Sequence, residues 1–289
     1  MTPAEAGAAA QLACLLEASA PKPGNVSPGR PFHDTSYEDF LASAVAIGPA
    51  MADAGTVPLG TTIRAAISAT RRLTRVNTNL GLVLLIAPLC RAAQLAGGEF
   101  RARLREVLAE TSVADAVSVY EAIRLAAPTG LGAAQAQDVA TVPTIPLRDA
   151  MALAADRDSI AREYVTDFAI TFELGAPALR GALTAGLTWT QAVVETYLDL
   201  LSAVPDSHVA RKLGSAAAET IMRRAREVRR AGGARTPSGR LALAAFDAQL
   251  RDDRNTRNPG TTADLTAAAL CLVILEDGWH SPRERTRAE

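Results

Sequence analysis

Apolar residues recur three and four positions apart over most of this 289-residue chain, and strand-like alternation is scarce. An α-helix brings positions i, i+3, i+4 and i+7 onto one face, whereas a strand needs a period of two. Alanine is abundant and favours helix, because it loses no side-chain entropy there. The chain is therefore expected to be all-α, a single bundle-like domain of about a dozen helices over residues 1–280. The spacing predicts helices at 3–18, 36–53, 59–73, 78–96, 99–109, 112–126, 146–155, 157–174, 176–185, 189–202, 207–231, 237–252 and 260–277.

Start and stop signals sharpen several boundaries. Thr35-Ser36 with Glu38-Asp39 opens one helix, Asp206-Ser207 another, and Thr236-Pro237 a third with proline at the first helical position. Gly232-Gly233 reads as a stop. The longest break runs from Ala126 to Pro146. It could link two helical halves, but candidate functional residues lie on both sides of it, which favours one integrated domain. Ser281 to Glu289 is charged and contains proline, so a frayed tail is expected.

Composition removes several classes. With 48% hydrophobic residues, 21% charged and a net charge of -1, there is core enough for a large domain and no global signal for nucleic acid or an anionic membrane. Cys14, Cys90 and Cys271 stand far apart in apolar contexts, as reduced core thiols of a cytoplasmic protein do. Residues 1–20 carry Glu5 and Glu17 and lack the basic start of a signal peptide. The apolar run from Leu80 to Cys90 is shorter than the ~20 residues a bilayer span needs, so it reads as a buried central helix.

Polar islands interrupt this pattern, and core packing does not call for them. Pro21-Lys22-Pro23-Gly24-Asn25 sets a point charge, a permissive backbone and a side-chain amide in a loop stiffened by two prolines. Lys22 is a candidate phosphate ligand, with Gly24 and Asn25 beside it; the plain alternative is a rigid connector. His33-Asp34 could act as a general base or present a metal carboxylate, or simply cap the next helix. Asn77-Thr78-Asn79-Leu80-Gly81 offers more polar groups than one cap uses, at a helix start that also suits an anion.

Two further islands lie downstream. Asp206, His208, Arg211 and Lys212 cluster at a predicted helix start, where a polyphosphate with its metal would fit, as would an ordinary solvated face. Arg257-Asn258-Pro259-Gly260-Thr261-Thr262 leads to Asp264, placed in the first helical turn and a candidate Mg²⁺ ligand. No GxxxxGK[ST], HExxH, GxSxG or kinase signature is present. Nucleotide handling would therefore rest on helix N-termini, Lys/Arg and carboxylate-held Mg²⁺.

Taken in order, Pro21-Lys22-Pro23-Gly24, His33-Asp34, Ser43, Asn77-Thr78-x-x-Gly81 and Pro259-Gly260-x-x-Ala263-Asp264-Leu265 resemble the triphosphoribosyl-dephospho-CoA synthase family over roughly residues 10–278. The resemblance implies an all-helical enzyme that moves the triphosphoribosyl group of ATP onto a hydroxyl of 3′-dephospho-CoA and releases adenine. It implies Asp34 with His33 as base or metal group and Lys22, Arg211 and Lys212 on phosphates. Asn77 and Asn79 would orient substrate, with Thr78, Gly81 and His208 beside them, and Asp206 and Asp264 would face Mg²⁺.

Departures mark a divergent branch. Asn79-Leu80 stands where the family typically has His-Lys, His33-Asp34-Thr35 replaces His-x-Asp-Met, and Thr261-Thr262 replaces Gly-Ser. A related transferase with another nucleotide-like acceptor is therefore the alternative, since such branches are associated with one-carbon (tetrahydromethanopterin-type) metabolism. A non-catalytic helical binding protein is the third reading. The expected partners are ATP, the acceptor and a second copy in a homodimer, with no nucleic acid and no membrane.

Overall fold

A reciprocal cap starts the first helix, α1 (Pro3–Ser19): Thr2 Oγ1 accepts from the Glu5 N–H at 3.3 Å, and Glu5 Oε2 accepts from the Thr2 N–H at 2.8 Å. From there the computed structural model, which describes residues 1–128, 130, 132 and 134–279, is helical for most of its length. α2 (Tyr37–Ala52), α3 (Leu59–Leu73), α4 (Leu80–Gln94), α5 (Phe100–Ala109), α6 (Val113–Ala126), α7 (Leu147–Ala152) and α8 (Ser159–Val165) follow. After a π-turn at Thr171–Gly175 come α9 (Ala176–Thr184), α10 (Trp189–Ala203), α11 (Ser207–Leu213), α12 (Ser215–Arg230), α13 (Pro237–Leu250) and α14 (Gly260–Asp277). Among the described residues there is no strand; a two-residue bridge pairs Ser27 with Arg30 around the Pro28-Gly29 turn. The all-α expectation holds. The tail at 281–289 lies outside the described residues.

These elements divide into two compact units, each discontinuous in sequence. One takes Met1–Leu15 and Glu38–Ala169; the other takes Leu16–Tyr37 and the chain from Ile170 onward. In the first, α4 is the buried helix its apolar run predicts, with Val83, Leu85, Ile86 and Leu89 fully enclosed. Each such side chain contributes about 1.5–3 kcal/mol on leaving water. No described helix is long and apolar enough to cross a membrane. One carboxylate joins two helix starts there. Asp115 Oδ1 accepts from the Gly60 N–H at 2.7 Å on α3, and Oδ2 accepts from the Ser112 N–H at 2.8 Å at the cap of α6.

The second unit packs around α14, whose residues Ala267 to Val273 are fully buried. Cys14, Cys90 and Cys271 are buried thiols, with no disulfide among them.

Two sequence expectations change. The predicted 207–231 helix is two helices, because Gly214 takes φ 88°, ψ 161°, outside helical geometry. The predicted 157–174 helix stops at Val165. Asp167 and Phe168 then take φ 51° and 59°, the Phe168 N–H closes on Glu163 O at 2.9 Å, and the Phe168 ring is fully buried. Arg101 Nε on Asp167 O (3.0 Å) and Arg105 Nε on its Oδ2 (2.8 Å) hold that turn. The break after Ala126 lies inside the first unit. The Leu147 N–H donates to Ser112 O at 3.2 Å and the Arg148 N–H to Thr111 Oγ1 at 3.2 Å, returning α7 to the start of α6.

Candidate functional site

In the second unit the Pro21–Asn25 loop is clamped from α13 and α10. Gly24 takes φ 73°, and its N–H donates to Asp247 Oδ1 at 2.8 Å. Asp247 also accepts from Arg30 and, at 3.0 Å, from Arg251 Nε, while Arg251 Nη2 reaches Asn25 O at 2.6 Å. Tyr197 donates to Pro23 O at 2.8 Å and accepts from Asn25 Nδ2 at 3.1 Å. Burial holds the Tyr197 phenol well above its ordinary range, so it stays a donor.

Lys22, expected on a phosphate, is instead a buried lysine, 2% exposed. Its Nζ meets Glu17 Oε1 at 3.0 Å, Ala20 O at 3.2 Å and the Glu17 carbonyl. An ammonium has three donors, and here all three are used inside the protein.

A more open set of side chains lies along the same unit. His33 and Asp34 are exposed, with Nε2 3.7 Å from Oδ2. Asn255 Nδ2 donates to His33 Nδ1 at 3.0 Å, which leaves the ring proton on the Asp34 side. Lys212 is within electrostatic reach of Asp252 and Asp34. Burial and then Arg211 push its ammonium down, and the carboxylates of Asp252, Asp34 and Asp206 draw it back up. Thus the islands at 22–34, 206–212 and 252–264 gather in one unit.

His208 and Asp206 sit behind that face. Arg211 Nη2 donates to His208 Nδ1 at 3.2 Å. Burial, then Lys212 and Arg211, lower the imidazole from 6.5 to about 3, so it is neutral at physiological pH. The unfolded chain protonates His208 near pH 6.5 and the folded chain does so only near 3. Stability is therefore complete above pH 6.5 and falls as the pH drops through this window. Between pH 7 and 5 His208 should account for about 2 kcal/mol of lost stability. Urea midpoints at both pH values, with and without His208→Gln, check this; an equal acid loss in the variant would count against it.

Asp206, expected on Mg²⁺, is 1% exposed. Its Oδ1 caps α11 through the Val209 N–H at 2.9 Å, and Oδ2 accepts from the Thr262 N–H at 2.7 Å and its hydroxyl at 2.8 Å. It is a tie between α11 and α14. Burial pushes its carboxyl up against those bonds. Asp264 is half-buried and, as the fifth residue of α14, stands just past the first turn in which the sequence places it. Among the described residues no group of three or more His, Cys, Asp or Glu side chains is arranged to hold a metal.

The remaining island belongs to the first unit. Asn77 Oδ1 caps α4 through the Leu80 N–H at 3.2 Å, and Asn79 turns inward, Nδ2 on Thr70 Oγ1 at 2.9 Å. Thr78 shares a short hydroxyl contact with Ser43, and Gly81 lies in the first turn of α4. Asn79 and Leu80 are 5% and 8% exposed, so this pair faces the interior.

Sequence reasoning missed Asp247, Arg251, Tyr197 and Asn255. Asp247 and Arg251 are an acid–base pair four residues apart, a signal the sequence does carry. Tyr197 sits among mixed polar and apolar residues, Glu195-Thr196 before it and Leu198-Asp199 after, with nothing local to mark it.

Among the described residues the fold is all-helical, and carboxylates, cations and carboxamides lie near several of its helix starts. Residues 3–283 match the family described as ATP:dephospho-CoA triphosphoribosyl transferase (CitG), and the chain belongs to that family. A provisionally assigned 2-(5′′-triphosphoribosyl)-3′-dephosphocoenzyme-A synthase of Pseudomonas fluorescens is 32% identical over 111 residues, 38% of either chain. The synthase of that name from Klebsiella pneumoniae is 32% identical over 99 residues, 34% of this chain and 35% of its own. The alignments thus span little more than a third of these curated relatives. A crystal structure from Archaeoglobus fulgidus, provisionally assigned as a triphosphoribosyl-dephospho-CoA synthase, is 33% identical with a TM-score of 0.64, covering 83% of this chain and 100% of that one.

Proposed function

We propose that this protein transfers the triphosphoribosyl group of ATP to a hydroxyl of 3′-dephospho-CoA. The family match over residues 3–283 carries the reading. The acceptor oxygen attacks the ribose anomeric carbon, the C1′–N9 bond breaks, and adenine leaves with the bonding pair. The acceptor's proton goes to a base, and a proton from solvent completes adenine. Asp34 suits the base role because its carboxylate is open, 56% exposed, beside the His33 imidazole. Lys212 suits the triphosphate, with Arg211 close behind. Lys22 and Asp206 hold the scaffold. Mg²⁺ bound with ATP would be coordinated mostly by phosphates and would neutralise triphosphate charge, with the half-buried Asp264 the carboxylate left for it once Asp34 serves as base.

A different acceptor remains the second reading, favoured by the inward Asn79-Leu80 pair, which places no cation there. The test is adenine release, followed chromatographically with ATP, Mg²⁺ and dephospho-CoA. Asp34→Asn should lower kcat by about 10²–10⁴. Lys212→Ala should raise the KM for ATP about tenfold or more. No adenine from folded protein with both substrates would overturn the synthase reading. ATP bound without turnover of any acceptor would point to the non-catalytic alternative.

A further inference from the structure

The imidazole beside Asp34 is held from a second turn, 222 residues further along the chain. Each turn is fixed by its own bonds. In the first, the Phe32 N–H closes on Thr35 O at 2.8 Å, and the Arg251 guanidinium lies 5.8 Å from the centre of the Phe32 ring. Thr35 Oγ1 donates to Asp34 Oδ1 at 3.1 Å. In the second, Asp252 Oδ1 accepts from the Arg254 and Thr256 N–H groups at 2.9 and 3.0 Å, and its Oδ2 accepts from Thr256 Oγ1 at 2.6 Å. The Asn255 N–H donates to Asp252 O at 3.1 Å, which leaves Asn255 at φ 51°, a left-handed backbone that asparagine and glycine tolerate.

One bond joins the two turns, from Asn255 Nδ2 to His33 Nδ1 at 3.0 Å. On the other edge of the ring, His33 Nε2 stands 3.7 Å from Asp34 Oδ2. A neutral imidazole carries a single proton, and the bond made at one nitrogen decides which of the two holds it. A donor at Nδ1 and a carboxylate near Nε2 agree, since both favour the proton on Nε2. An N–H dipole then faces Asp34. The other tautomer would turn a lone pair on the carboxylate and push it aside. With Thr35 on Oδ1 and the ring on Oδ2, an exposed carboxylate keeps one orientation.

We propose that Asn255 is a positioning residue, setting the His33 tautomer that holds the Asp34 carboxylate in place as base. This rests on the transferase reading above, in which Asp34 takes the acceptor's proton. Asn255 acts through His33.

Two variants of the intact protein separate side chain from backbone. Asn255→Gly keeps the left-handed turn and removes the carboxamide. Asn255→Asp keeps the shape and replaces the donor with acceptors. ¹⁵N NMR at a pH where the ring is neutral reads the tautomer, the His33 signal being identified by its loss in His33→Gln. The wild type should carry the proton on Nε2. Both variants should show mixed tautomers, with the larger Nδ1–H share in Asn255→Asp. In the adenine-release assay kcat should fall about ten- to a hundredfold, further in Asn255→Asp, while the KM for ATP stays within about threefold. The urea midpoint of Asn255→Gly should match that of the wild type. A wild-type ring protonated on Nδ1, or variants that keep the wild-type tautomer, overturn the assignment. So does a kcat that survives the tautomer change, or one that falls only together with the urea midpoint. If the tautomers behave as expected but the wild type releases no adenine, the setting of the ring by Asn255 stands and the transferase reading falls.

Discussion

Lys22→Met is expected to lower the unfolding free energy by about 3–5 kcal/mol, read as a reduced urea midpoint. The substitution keeps the side chain's bulk and removes its charge. It leaves the Glu17 carboxylate, itself 5% exposed, without its cation, and the Glu17 and Ala20 carbonyls without a donor. An unpaired buried charge costs more than the pair contributes, so the double variant Lys22→Met/Glu17→Leu should recover most of the loss. ATP affinity of the folded single variant should stay within about threefold of wild type, since the buried Lys22 ammonium spends its donors on Glu17 and Ala20. The opposite pattern, unchanged stability with ATP binding down tenfold or more, would restore Lys22 to a phosphate role.

Asp247→Ala should cost about 3–4 kcal/mol by removing the acceptor shared by the Gly24 N–H, Arg30 and Arg251. For a chain of this size that corresponds to a fall in Tm of roughly 6–16 °C. The loss should be accompanied by faster amide exchange at Gly24, whose N–H donates to this carboxylate. Asp247→Asn keeps one acceptor and should recover part of both effects. If Asp247→Ala left Tm and Gly24 exchange unchanged, the clamp on the Pro21–Asn25 loop would not be a source of stability.

Lys22 and Asp247 show how far local reading reaches. Capping by Asp206 and Thr236 is legible because the bonded N–H groups are three residues away, at Val209 and Gly239. The burial of α4 is legible from its unbroken apolar run. The partner of Gly24, in contrast, lies 223 residues along the chain, and nothing near either residue announces the other. The same island that reads as a phosphate loop therefore becomes a structural anchor once Glu17 and Asp247 are in place. Asp206 changes in the same way when Thr262 supplies two more donors to its carboxylate.

The sequence by itself determined the helical class, most helix positions and the polar islands, because periodicity, caps and turn residues act within a few residues of one another. Its ordered motifs also pointed to the family that the whole-chain match then showed. Only the tertiary structure decided which island residues are consumed by the fold and which stay open. Lys22, Asp206 and Asn79 turn inward, Asp34 stays exposed, and Lys212 stays half-exposed near it. It alone broke the 207–231 helix at Gly214 and brought Asn255 onto His33. The physical reason is that burial and pairing depend on chain segments brought together from far apart, whereas helix formation is settled one turn at a time.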